Sequence, residues 1–205
     1  LTGEPARTAL RVRYRRHLAR LAAWDLEQPA PLDVVDDVGA ALADLAGAAL
    51  EAALTIARRE APFPAEEVAA TRLAVIGMGK AGARELNYLS DVDVIFVAEG
   101  DGVETDRAVT IATRLAQATM QGIHAAGSEP GLWEVDANLR PEGKDGALVR
   151  TLESHVAYYD RWARDWEFQA LLKARPLAGD RELGERFVQA VAPMVWSSAG
   201  RENFV

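Results

Sequence analysis

Ser90-Asp91-Val92-Asp93 runs straight into the apolar stretch Val94-Ile95-Phe96-Val97. Carboxylates at i and i+2 of a strand point to the same face, so Asp91 and Asp93 are aimed at one point in space. Their repulsion is costly unless a cation sits between them, and hard divalent ions such as Mg²⁺ favour carboxylate oxygens. Upstream, the glycine-rich turn Gly77-Met78-Gly79-Lys80 follows the short apolar run Leu73-Ala74-Val75-Ile76. The combination reads as a phosphate cradle beside a metal site.

A two-metal phosphoryl or nucleotidyl centre needs a third carboxylate on a neighbouring strand. Trp133-Glu134-Val135-Asp136-Ala137-Asn138-Leu139-Arg140 can supply it. Alternation places Glu134, Asp136 and Asn138 on one face, and Asp136 is the expected ligand. Arg140-Pro141 ends that strand with a guanidinium suited either to gripping phosphate by two parallel hydrogen bonds or to a structural ion pair. The glycine turn, Ser90 and the same-face acids together make the Gly-x-Gly, Asp-x-Asp pattern of nucleotidyltransferases.

The elements that must position these residues follow from periodicity. Strands are expected at Leu73–Ile76, Val92–Val97 and Leu132–Leu139, with helices near Ala83–Tyr88 and Asp106–Ile123, as in an α/β unit. Before them, Ala6 to about Glu27 is helical by the spacing of Leu10, Tyr14, Leu18, Leu21 and Ala22. Its Arg11, Arg13, Arg15, Arg16 and Arg20 read as a solvated face paired to acids elsewhere, or else as a docking surface for a partner. Asp33 is the expected N-cap of a long helix, Val34 to about Arg59, in which Gly39 and Gly47 allow close helix contact. After Thr151 the pattern is helical again: Tyr158, Trp162, Trp166, Ala170 and Leu171 mark one face, whose aromatics from Tyr158 to Trp166 read as core or else as a rim for an adenine ring; Pro176 ends that helix, and a last one runs from about Asp180 to Val191. The expected division is a helical segment 1–70, a core 71–150 and a helical segment 151–205.

Gly77, Gly79 and Gly82 also satisfy Gly-x-Gly-x-x-Gly, with Glu99 at the end of the next strand, as a dinucleotide site requires. Such a unit needs a long amphipathic helix between its strands. The short polar stretch before Ser90 cannot supply one. His17, His124 and His155 are scattered without metal-ligand spacing and read as structural.

Composition bounds the rest. With 205 residues, 49% of them hydrophobic, the chain can bury a substantial core. A net charge of −8 argues against nonspecific nucleic-acid binding, where Lys and Arg must replace counterions. The absence of cysteine excludes disulfides and thiolate metal sites and fits a cytoplasmic location. No apolar run is expected to span a bilayer, and no signal peptide is read. With Leu1 rather than Met at its start, the sequence is expected to be a piece of something longer. Lys80, Lys144 and Lys173 are the only lysines among 23 basic residues, a bias of GC-rich bacterial genomes.

Three stretches carry a resemblance: GMGKAGARELNYLSDVDVIFV, WEVDANLRPEGKDGALVRT and WEFQALLKARPLAGD. They resemble the bifunctional glutamine synthetase adenylyltransferase/adenylyl-removing enzyme, especially its actinobacterial members, from about Tyr14 to Val205. That family carries two related nucleotidyltransferase halves; Gly79-Lys80-Ala81-Gly82 followed by Glu85-Leu86-Asn87 resembles the amino-terminal, adenylyl-removing half. The resemblance implies an α+β, polymerase-beta-like nucleotidyltransferase fold with flanking helical segments. It implies that phosphate attacks the AMP-tyrosine bond of adenylylated glutamine synthetase to give ADP, with the ATP-dependent forward reaction and a silent regulatory module as rivals. It further implies that Asp91, Asp93 and Asp136 hold two Mg²⁺ ions. The Met78 and Gly79 N–H groups with Ser90 would hold phosphates, Lys80 and Arg140 would add positive charge, and Glu167, Lys173 and Arg175 would play a supporting part. A signalling protein is an implied partner through regions absent from this sequence.

Overall fold

The structure is a computed structural model, and it describes residues 1–198. Helix α1 (Gly3–Leu26) leads through a 3-10 turn (Pro31–Val34) to α2 (Val35–Glu60) and the short α3 (Ala65–Ala69). Strand β1 (Thr71–Gly77), one helical turn α4 (Gly79–Ala83), β2 (Val92–Gly100), α5 (Thr105–His124), β3 (Val135–Asp136) and β4 (Val149–Thr151) follow. The chain continues as α6 (Leu152–Arg161), α7 (Asp165–Leu171), β5 (Arg175–Gly179) and α8 (Arg181–Ser198). This is an α+β arrangement built on a small mixed sheet.

Among the described residues the sheet order is β3-β2-β1-β5, with β4 also pairing to β2. β1 runs antiparallel to β2 and to β5, while β3 and β4 run parallel to β2. Both faces are covered. Leu73, Val75, Val92, Val94 and Phe96 join the core with α2 and α5, whereas Ala74, Ile76, Ile95 and Val97 pack with Tyr159, Phe168, Leu183 and Phe187. The period of two along β2 therefore puts Asp93 on the side of Ile95 and Val97, toward the α6–α8 layer.

Several expectations are corrected. The segment after Thr151 is not one helix: it breaks into α6 and α7, and Trp162 and Trp166 are 72% and 48% exposed rather than core. Pro176 does not merely end a helix but lies in β5, an edge strand, where a missing N–H is tolerated. Asp33 sits in the 3-10 turn, and Val34 occupies the N-cap of α2. Gly47 makes room for the Leu177 carbonyl of β5 and Gly39 for the Arg84–Glu85 backbone, so neither serves helix–helix contact.

Arg11 is 1% exposed, not solvated. It donates from Nε and Nη2 to the Gly122 carbonyl in the last turn of α5 and from Nη1 to the Glu129 carbonyl of the following loop at 2.6 Å. Arg15 does behave as expected, pairing with Glu129 at 2.9 Å. Contrary to the sequence expectation, an 18-residue stretch within Pro31–Glu60 is apolar and long enough to cross a membrane by composition alone. Half of it is buried here, with Leu42, Ala46, Leu50 and Leu54 in the core, which is what an alanine-rich core helix requires.

Candidate metal centre

β2 begins at Val92, one residue after Asp91, and the parallel β3 lies beside it with Asp93 opposite Asp136. This register brings the carboxylates together. One ligand oxygen from each of Asp91, Asp93 and Asp136 lies within 4.8 Å of the others. Asp91 is exposed, and Asp93 and Asp136 are half-buried. Burial first, then the Asp91 and Asp136 charges, raises the Asp93 carboxyl above its ordinary range, with Lys80 opposing the rise.

The glycine turn forms the adjoining wall. Gly77 ends β1, Met78 caps α4, and Gly79 adopts φ +49. A Cβ on Gly79 would lie 2.8 Å from Asp93 Oδ2, so this position must be bare for the backbone to approach the carboxylate. Arg84, in the left-handed region at φ 62, stops α4 after one turn, and the helix expected at Ala83–Tyr88 does not form. β1 and β2 are antiparallel across this turn, which excludes the parallel dinucleotide-binding unit. Glu99, its presumed ribose ligand, is paired instead with Arg72 and Arg186.

The cradle differs in detail from the sequence expectation. The Met78 N–H donates to the Asp93 carbonyl at 2.9 Å, so it locks the two strands and is not open to phosphate. Its side chain is wholly buried. Ser90 Oγ donates to Asp91 Oδ1 at 3.3 Å and orients that carboxylate. Among the described residues no acceptor meets the Gly79 N–H, and Lys80 is exposed beside the acids.

The expected strand Leu132–Leu139 shrinks to Val135–Asp136, so the alternation that grouped Glu134 and Asn138 with Asp136 does not hold. Asp136 Oδ1 accepts the Asn138 N–H at 2.7 Å, turning the chain out of the sheet. Arg140 then gathers the loop: it donates to the carbonyls of Ala137 (2.8 Å), Lys144 (2.9 Å) and Gly146 (3.1 Å). It is thus neither a bidentate phosphate grip nor an ion pair, but a clamp on the loop that carries Asp136.

Periodicity alone missed the outer support. Arg175 donates to the carbonyls of Ala81 and Gly82 at the end of α4, and Lys173 pairs with Glu85 at 2.6 Å. Glu167 is 4% exposed and accepts the Arg164 N–H at the start of α7. The only sequence signal for these residues was the third motif stretch. His155 is buried and pushed down to about 4, so it is neutral, and its Nδ1 lies 3.0 Å from the Thr151 carbonyl.

The model of the glutamate-ammonia ligase adenylyltransferase family matches residues 2–190. The chain belongs to that family. It is 68% identical to the bifunctional glutamine synthetase adenylyltransferase/adenylyl-removing enzyme of Leifsonia xyli subsp. xyli, over 98% of this chain and 21% of the relative. The similarly named proteins of Streptomyces avermitilis and Cutibacterium acnes are 56% and 52% identical, over 96% and 98% of this chain and 19% and 20% of theirs. The chain therefore spans about a fifth of the length of the curated relatives it matches.

Proposed function

We propose that this chain is a nucleotidyltransferase core of the polymerase-beta-like kind that removes AMP from a tyrosine of glutamine synthetase by phosphorolysis. The convergence of Asp91, Asp93 and Asp136 carries the reading. Three oxygen donors, one with a raised carboxyl, beside a glycine that leaves room against Asp93, fit a hard divalent ion. When bound, two Mg²⁺ ions would orient the phosphate nucleophile and offset charge on the phosphoryl oxygens.

The chain's own residues would do the rest. The Gly79 N–H and the Lys80 ammonium face the phosphates, drawing an anion toward a site whose three acids otherwise repel it. Ser90 and Arg140 hold Asp91 and the Asp136 loop in place, so the acids are set before substrate arrives. An oxygen of hydrogen phosphate bonds to the adenylyl phosphorus, the bond from phosphorus to the tyrosine oxygen breaks, and the tyrosinate takes up, through water, the proton that the phosphate gives up. ADP and unmodified synthetase result.

Direction rests on Glu85-Leu86-Asn87. Leu86 is buried and Glu85 is tied to Lys173, so this stretch is anchored against the turn that leads to Ser90. The test uses the full-length enzyme with its other nucleotidyltransferase half inactivated, given Mg²⁺, phosphate and adenylylated synthetase. Phosphate-dependent ADP release is expected. Transfer of AMP from ATP with no ADP release from the adduct would assign the forward reaction instead.

A further inference from the structure

A pocket about 600 Å³ in volume opens between β4, α6 and the α6–α7 connection. Arg150, Arg161 and Arg164 line it, with Ser154, Tyr158 and Trp162, and Glu142 is its one acid. None of Asp91, Asp93 or Asp136 belongs to it. Three guanidinium groups therefore line a pocket in a chain of net charge −8, with Glu142 at its surface and the buried Glu167 behind Tyr158.

Arg150 is the built part of this site. It lies opposite Val97 on β2, hence on the same sheet face as Asp93 but four residues along, roughly 13 Å away at strand rise. Its guanidinium stacks over the Tyr158 ring at 5.7 Å and pairs with Glu142, while its Nε is buried with no hydrogen-bond partner. Glu142 stands at the mouth in a left-handed conformation, φ 64, that a non-glycine residue rarely adopts.

The other two guanidiniums are exposed. Beside them Trp162 presents an indole that is 72% exposed. Guanidinium forks recognise phosphate, and a flat aromatic wall recognises a base. The volume suits a ligand of nucleotide size. We propose that this pocket binds a nucleoside phosphate without any divalent ion, as a site distinct from the acidic triad.

The experiment is calorimetric titration of the 205-residue chain in EDTA with ADP, adenosine and inorganic phosphate as separate probes. ADP is expected to bind more tightly than either fragment. R161A and R164A should each weaken ADP by about tenfold, the loss typical of one charge-assisted contact. Glu142→Gln, which removes the competing acid, should tighten it severalfold, a gain that misfolding cannot produce. D93N should not weaken ADP binding in EDTA. No ADP binding, adenosine or phosphate binding as tightly as ADP, or ADP binding lost in D93N and untouched in the arginine variants, would overturn the proposal. These readouts need no turnover, so their failure is separable from failure of the phosphorolysis reading.

Discussion

Replacing Asp93 by Asn should stabilise the protein when divalent ions are absent and remove its response to them. The ligand oxygens of the three acids lie within 4.8 Å of one another. At that separation each like-charge pair costs about 0.9 kcal/mol in the dielectric of water and about 3.5 kcal/mol at an effective dielectric near 20. Asp91 is exposed, so the lower figure governs, and losing Asp93 relieves two pairs, about 2 kcal/mol. For a chain of this length that is a rise in Tm of about 4–8 °C in EDTA at neutral pH. With Mg²⁺ at ten times its Kd, linkage adds about 1.4 kcal/mol to the wild type and nothing comparable to the variant, so the gap narrows by about 3–6 °C. The pH dependence has a fixed sign. The Asp93 carboxyl is raised in the folded state, so between its unfolded and folded values the native protein holds more protons and stability falls as pH rises. The advantage of D93N is therefore full above the raised folded value and fades as pH drops through it toward the ordinary carboxylate value. Differential scanning calorimetry in EDTA and Mg²⁺ at several pH values reads all of this. A D93N protein that melts below the wild type in EDTA, or gains as much from Mg²⁺, would refute the reasoning.

Gly79→Ala forces a left-handed φ on a residue with a Cβ and sets that Cβ 2.8 Å from Asp93 Oδ2; urea unfolding should show a loss of at least about 1 kcal/mol, together with weaker Mg²⁺ binding. Arg11→Ala should cost about 3 kcal/mol, because it strands the buried Gly122 carbonyl and the half-buried Glu129 carbonyl, whereas Arg16→Ala on the exposed side of α1 should stay within about 0.5 kcal/mol in the same assay. Arg140→Ala should weaken Mg²⁺ affinity through a loosened Asp136 loop, read by calorimetric titration; an unchanged affinity would show that the loop holds itself without the clamp.

The acids were legible because a strand's period of two is a local property: Asp91 and Asp93 share parity with Ile95 and Val97 whatever the rest of the chain does. Asp136 does lie on a strand beside β2, although that strand is only two residues long. The rest depended on information that no window of sequence contains. Pro176 reads as a breaker until β5 is seen to pair on one side only. Arg11 looks like its neighbours Arg13 and Arg16 until the end of α5 presents its carbonyls to it. The Met78 N–H looks free to bind phosphate until the antiparallel register hands it to the Asp93 carbonyl. Trp162 and Trp166 sit at core spacing, but the break between α6 and α7 turns both outward.

The central claim, that Asp91, Asp93 and Asp136 form a divalent metal centre, is tested most directly by anomalous diffraction from crystals of the protein grown with Mn²⁺. An anomalous peak bonded to carboxylate oxygens of all three residues, beside Gly79, is the predicted result. A map with no peak there, or with Mn²⁺ bound only at other acids, would contradict it.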